Sequence, residues 1–249
     1  MKKLSVVAVI ITALALMLTL VGPSSAQTSG VAPDPEKLVE GMHAAYDKVQ
    51  DYTATFLKQE RVKGELLPME TVALKFRKPF MVYMKWLKGP HDGREALYVQ
   101  GKYDNKVTGH EGGFISFVTL HMEPTGSTAM KGNRHPITDV GIGRLIEIID
   151  TNFTRAQKTH ELKLTYIGVE PVNGSNAYHL KGELPADESK GYYGKTIQLW
   201  VDKGLGLPVK IMVFGWKDEL LEMYTYKDLR LNPGLTEKDF DPTNSQYDF

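Results

Sequence analysis

After Asp51 the chain changes its hydrophobic period from 3.6 to 2 and holds the new period, with one interruption, to about residue 228. That switch constrains the fold more than any other feature, because a period of 2 specifies strands with two distinct faces. Tyr52, Ala54 and Phe56 alternate with Thr53, Thr55 and Leu57. Across Glu70–Arg77, Val72, Leu74 and Phe76 point one way, and Thr71, Ala73, Lys75 and Arg77 the other. Pro79 opens a further strand in which Val82, Met84 and Trp86 alternate with Met81, Tyr83 and Lys85. More strands are predicted at about 94–100, 105–110, 114–121, 161–170, 176–183, 195–202, 207–215 and 219–228. Their separators are turn sequences such as Lys88-Gly89-Pro90, Val172-Asn173-Gly174 and Asp202-Lys203-Gly204-Leu205-Gly206. Short strands joined by short turns imply an antiparallel meander.

Two segments keep the helical period. Asp34 reads as an N-cap ahead of Pro35, and Leu38, Met42, Ala45, Tyr46 and Val49 share one face of a helix over about 35–50. Ile142, Leu145, Ile146, Ile149 and Phe153 form a stripe on a helix over 141–156. Two helices cannot cover both faces of about ten strands. The predicted fold class is therefore α+β, mainly antiparallel β: a sheet curled into a half-barrel with the helices across its open side. Several strands carry apolar residues on both faces, as in Ile197/Leu199/Val201 against Trp200, so something must cover each face. The tail 232–249 is irregular but holds Leu235, Phe240, Tyr247 and Phe249, and is expected to pack down.

The N-terminus reads as an export signal. Lys2 and Lys3 precede the uncharged run Leu4–Val21, then Gly22-Pro23 and Ser24-Ser25-Ala26. Cleavage is expected near Ala26/Gln27, which places the product in the periplasm; the alternative is an uncleaved anchor in the inner membrane. The domain assignment is a signal peptide at 1–26, a flexible lead at 27–33 and a single half-barrel domain at 34–249. No cysteine occurs anywhere, which removes disulfides, thiol catalysis and cysteine-ligated metals, and argues against a lipid-modified N-terminus. Without disulfides the stability must come from the core, and roughly 215 residues can bury about 70% of their unfolded surface. Loss of 1–26 leaves 28 basic and 30 acidic residues, a formal charge of −2. No basic excess exists to bind nucleic acid.

Catalytic motifs are scarce. There is no nucleophile elbow, phosphate loop or HExxH zinc motif, and the seven histidines form no i, i+4 pair on a predicted helix. Neither a cofactor nor a metal is expected. The loop Thr125–Val140 is Gly-, Asn- and Pro-rich and long enough to act as a lid. Within it Arg134, His135 and the nearby Asp139 are the best candidates for general acid–base chemistry, though no nucleophile is tied to them.

The order of elements resembles that of the LolA/LolB-type carriers and receptors of outer-membrane lipoproteins. The matching segments are Asp51–Gln59 with its F-x-x-Q strand, Leu74–Trp86 with a basic-Pro-Phe…Trp strand, and Leu199-Trp200-Val201-Asp202 followed by Leu207-Pro208-Val209-Lys210. The Arg94–Asp104 segment and Arg134-His135-Pro136-Ile137 look closer to a related exported family of uncharacterised function. The resemblance implies an incomplete antiparallel barrel with an apolar cavity for acyl chains. It also implies that Lys78, directly before Pro79-Phe80, helps close a lid, with Arg77 on the opposite face. The expected function is non-enzymatic binding or carriage of a lipid, a lipoprotein acyl chain or a similar ligand, with transient contacts to a membrane or envelope protein. Expected ligand-binding residues are Phe56, Val72, Leu74, Phe76, Arg77, Lys78, Trp86, Leu97, Leu199, Ile211, Arg134 and His135. The rival readings are a cell-envelope hydrolase or transferase using Arg134, His135 and Asp139, and a peptide-binding or sensor domain.

Overall fold

The computed structural model describes residues 32–249; the expected signal peptide and nearly all of the 27–33 lead lie outside the described residues. Helix α1 (Pro35–Asp47) starts where the sequence places it, with Asp34 Oδ1 accepting the Glu36 amide at 3.0 Å and Pro35 in the first turn. Then come β1 (Asp51–Val62), β2 (Glu65–Leu66), β3 (Glu70–Arg77), β4 (Met81–Lys88), β5 (Glu95–Val99), β6 (Val107–His110) and β7 (Leu120–Met122). Helix α2 (Ile142–Lys158) follows. The chain then adds β8 (Lys163–Val172), β9 (Ser175–Glu183), β10 (Thr196–Asp202), β11 (Pro208–Phe214) and β12 (Leu220–Leu231).

All the strands join one antiparallel sheet in the order β7-β6-β5-β4-β3-β1-β12-β11-β10-β9-β8, with β2 folded back on β1. The first and last strands of the meander thus pair at its centre, Phe56 opposite Tyr226 and Glu60 opposite Glu222. Among the described residues β7 and β8 remain unpaired edges, so the sheet is a half-barrel and not a closed one. Alternation decides which side chains meet. Val72, Leu74 and Phe76 of β3, Val82, Met84 and Trp86 of β4, and Leu199 and Ile211 of β10 and β11 face α2. They form the main core with Ile142, Ile146, Ile149 and Phe153.

The start of α2 shows how closely this face is fitted. Its N-cap is Gly141 at φ 122°, where a Cβ would lie 3.0 Å from the Phe76 ring and 3.1 Å from the Tyr52 hydroxyl. Glycine offers no capping side chain, so the buried Tyr52 hydroxyl of β1 accepts the Ile142 amide instead, at 3.0 Å.

Three expectations change. Pro79 lies before β4, not in it, in a turn with a cis Lys78–Pro79 bond. The strand expected over 114–121 is only Leu120–Met122, preceded by a 3-10 turn at Gly113–Ile115. Its partner β6 ends at His110, and the chain then turns at Gly112, where a Cβ would lie 1.8 Å from the Asp92 carbonyl oxygen; among the described residues, 113–119 pair with no strand. Leu97 faces away from α2, in a second cluster with Met81, Tyr83 and Val99. The C-terminal tail covers this cluster with Phe240 and Tyr247, the Tyr247 ring stacking on Tyr83 at 3.9 Å.

Candidate functional site

A cavity of about 290 Å³ lies between the concave face of the sheet, α2 and the 123–141 loop. Its inner wall is apolar: Phe56, Met84, Trp86, Ile149, Phe153 and Ile211. The Trp86 indole is 5% exposed, and among the described residues its Nε1–H has no acceptor. Its ring is covered by Arg94, 5.3 Å away, and Arg94 in turn makes a two-pronged bond to Glu111 at 2.9 and 2.7 Å.

The outer wall is ionic, because charged residues occupy positions whose parity should make them apolar. On β1, Lys58 and Glu60 continue the face of Tyr52, Ala54 and Phe56, and are 7% and 3% exposed. On β12, Glu222 continues the face of Tyr224 and Tyr226 and is 6% exposed. The register places Glu60 beside Glu222, two carboxylates that would repel without compensation. Compensation comes from Lys58, whose Nζ lies 3.4 Å from both Glu60 and Glu70, and from the loop. The Arg134 amide donates to Glu60 Oε2 at 2.8 Å, and the Arg134 guanidinium lies 3.4 Å from Glu222. His135 Nε2 lies 2.8 Å from Glu222 Oε2 and 2.7 Å from the Tyr193 hydroxyl. Its Nδ1 is 3.7 Å from Asp139. Tyr193 donates to Glu222, Tyr224 donates to Glu60, and Lys58 donates to Asn133.

These contacts set the protonation states. Burial pulls the His135 imidazole down, but the Glu222 hydrogen bond and the surrounding carboxylates outweigh it and hold the pKa above the ordinary value. For Arg134, burial is likewise outweighed by the Tyr193 bond and by Glu222, leaving it raised. Burial and then Glu222 push the Tyr193 and Tyr224 phenols well above the usual range, so both are donors. The loop is thus latched to the sheet by charge-assisted hydrogen bonds.

Of the residues expected at the site, Phe56, Trp86, Ile211 and His135 line the cavity, as does Asp139. Arg134 sits beside it in the latch. Val72, Leu74, Phe76 and Leu199 are packed in the core behind the wall, and Leu97 is on the opposite face under the tail. Arg77 is also directed away, with its Nη1 3.9 Å from Met81 Sδ. Lys78 does not reach the loop latch. Its Nζ donates to the Tyr46 carbonyl at 2.9 Å and covers the Tyr46 ring at 4.2 Å. Helix α1 has no basic residue in its last turn, and Lys78 supplies the cation there. Lys58, Glu60, Tyr193, Glu222 and Tyr224 were not singled out from sequence. The usable signal was parity: Lys58-x-Glu60 on the apolar face of β1, and Glu222 on that of β12. Among the described residues no cluster of His, Asp and Glu has the makings of a metal site, and no helix is long and apolar enough to cross a membrane.

A half-open antiparallel barrel with a helix and a latched loop over an apolar hollow is the class of fold that the sequence resemblance implied. Within it, this chain belongs to the family described as "Protein of unknown function (DUF1571)", whose model matches residues 49–249. No curated protein matches the sequence. Among solved structures the chain is similar to MucB, with 15% identity and a TM-score of 0.51 over 84% of this chain and 62% of MucB. The match therefore spans less than two thirds of MucB. The chain is also similar to the Mycobacterium tuberculosis lipoprotein LppX, with 14% identity and a TM-score of 0.49 over 84% of this chain and all of LppX. A LolA superfamily protein from Nitrosomonas europaea matches at 10% identity and a TM-score of 0.34, over 84% of this chain and 98% of that one.

Proposed function

We propose that this protein is a non-enzymatic, exported carrier that holds a single acyl chain of a lipid or an acylated protein in the cavity under the 123–141 loop. The observation that carries the reading is the cavity's division into an apolar inner wall and a polar, latched outer wall. Each buried methylene contributes roughly 0.8 kcal/mol, so an acyl chain needs few polar contacts. A volume of about 290 Å³ lies at the small end of ligand pockets, which suits one chain better than a bulky multi-chain lipid. The unpartnered Trp86 N–H matches the carbonyl of an acyl ester or acid. Phe56, Trp86 and Ile211 touch the chain, while Arg134 and His135 hold the loop; export by the expected N-terminal signal would place the protein in the periplasm, and the carrier role calls for no cofactor.

The residues of the rival hydrolase are used up elsewhere. His135 faces carboxylates at both ring nitrogens, and the hydroxyl nearest to it is a phenol held protonated. His135 is thus engaged by partners of its own, and the hydroxyl beside it is bonded to Glu222.

Native mass spectrometry on the protein recovered without detergent from the cell that makes it tests the reading. The expected result is a bound mass that organic extraction releases as a lipid, and Trp86→Glu should lose that mass while keeping a cooperative melt. An apo mass with no uptake of added fatty acid would overturn it. His135→Ala should leave cargo in place; loss of a turnover activity in that variant would favour the hydrolase.

A further inference from the structure

The segment between β6 and β7 is the most apolar exposed stretch of the described chain. Phe114 is 99% and Phe117 82% exposed, and Val118 and Leu120 each 44%. No charged residue occurs from Gly112 to Leu120. Leaving two phenyl rings in water forgoes burial energy that packing them would have gained, and such patches mark sites of association.

The strand registers show where the segment lies. Thr71 pairs near Lys88, Lys85 with Glu95, and Glu95 with His110, so the β4–β5 turn, the start of β3 and residues 111–120 share one end of the half-barrel. Gly93 of that turn lies against the backbone of Gly112, where a Cβ would be 3.3 Å from the Gly112 Cα. Met69 and Leu87 add exposed side chains to the same rim. Lys58, Glu60 and Glu222, which hold the latch, are at this end too. The rim is also continuous with the cavity: Leu120 and Met122 line it alongside Trp86.

We infer that the Gly113–Leu120 loop is a membrane-docking element: Phe114 and Phe117 insert into the interfacial layer of a phospholipid bilayer and set the cavity mouth against it. The inference rests on the acyl-carrier reading and adds the surface from which the chain is taken. Two rings projecting from one short turn suit shallow insertion between headgroups, where aromatic side chains partition well. A loop that leads directly into the cavity would let an acyl chain slide from bilayer to protein without crossing water, the step whose cost grows with every methylene.

The chain has no cysteine, so Phe117→Cys carries a single environment-sensitive nitrobenzoxadiazole label in the otherwise unchanged full-length protein. The control is the same label at Asn176→Cys, at the opposite end of the sheet beside the β9–β10 pairing of Ala177 with Asp202. With vesicles of phosphatidylethanolamine and phosphatidylglycerol, the label at 117 should shift to the blue and be quenched by nitroxides in the upper acyl chain, and the label at 176 should not. Replacing both rings, Phe114→Ser with Phe117→Ser, should weaken vesicle-driven uptake of a dansyl fatty acid at least about tenfold while leaving uptake from vesicle-free solution unchanged. A label at 117 that stays in water while the cavity takes up the free probe would overturn the docking and leave the carrier standing. Insertion of the label with no probe uptake in any format would support docking and overturn the carrier. A blue shift caused by a protein fraction and not by vesicles would assign the loop to a protein partner and overturn the inference.

Discussion

The two faces of the sheet are each closed by a segment that contributes little regular structure, and they are closed by opposite means. On the convex face the tail drives Phe240 and Tyr247 between Met81, Tyr83, Leu97 and Val99. Its ends are tied down by Asp51, whose Oδ1 accepts the Gly234 and Leu235 amides at 3.0 and 3.1 Å, and by Lys75, which donates to Tyr247 and Asp239. The contact is apolar, with the Tyr247 ring stacked on Tyr83. On the concave face the 123–141 loop reaches the sheet through Asn133, Arg134 and His135 and leaves a hollow beneath. An apolar plug holds through burial, which pH and small ligands barely alter. A latch made of ionisable groups holds only while each keeps its charge and its partner. One closure is built to stay shut, and the other can be released.

The largest effect should come from breaking the convex closure. Phe240→Ala empties a fully buried ring site and should cost about 3–5 kcal/mol, lowering the calorimetric midpoint by roughly 10 °C without changing acyl-probe affinity. A loss below about 1 kcal/mol would mean that the tail only drapes over the sheet. Glu222→Gln comes next. It removes the charge that His135, Arg134 and Tyr193 share, while relieving the repulsion with Glu60, so a net cost of about 2 kcal/mol is expected. Hydrogen exchange should rise across residues 125–140 and stay unchanged across 235–249; equal changes in both would refute independent closures.

The smallest effect is that of pH. The imidazole pKa of His135 is raised in the folded protein above its ordinary value of about 6.5. Its stabilisation of the latch is therefore complete below the ordinary value and is lost as pH rises through the folded one. Protection of the 125–140 amides, corrected for intrinsic exchange, should fall across that interval, and His135→Gln should remove the dependence. A fall on acidification instead would show that carboxylate protonation governs the latch.

Much of the architecture could be read directly. β3 begins and ends at the expected Glu70 and Arg77, α2 buries Ile142, Ile146, Ile149 and Phe153 from the expected stripe, and the tail packs through Phe240 and Tyr247. Parity placed Phe56, Trp86 and Ile211 on the cavity wall, and loop composition placed Arg134, His135 and Asp139 above it. Leu97 was misplaced because a strand with apolar residues on both sides does not announce which side faces the helix. Lys78 was given to the lid by resemblance, and the tertiary structure assigns it to the end of α1.

Local chemistry thus determined by itself that there would be a meander of about ten strands with two covering helices, because period, turns and caps act over a few residues. Which strands close on one another was settled only in three dimensions. β1 and β12 lie about 170 residues apart, and pairing them sets Glu60 beside Glu222, brings Tyr193 and His135 to the same carboxylate, and so creates the latch. No periodicity encodes that meeting, because it depends on how the whole sheet curls, and the energy of a buried charge is fixed by partners that are distant in sequence.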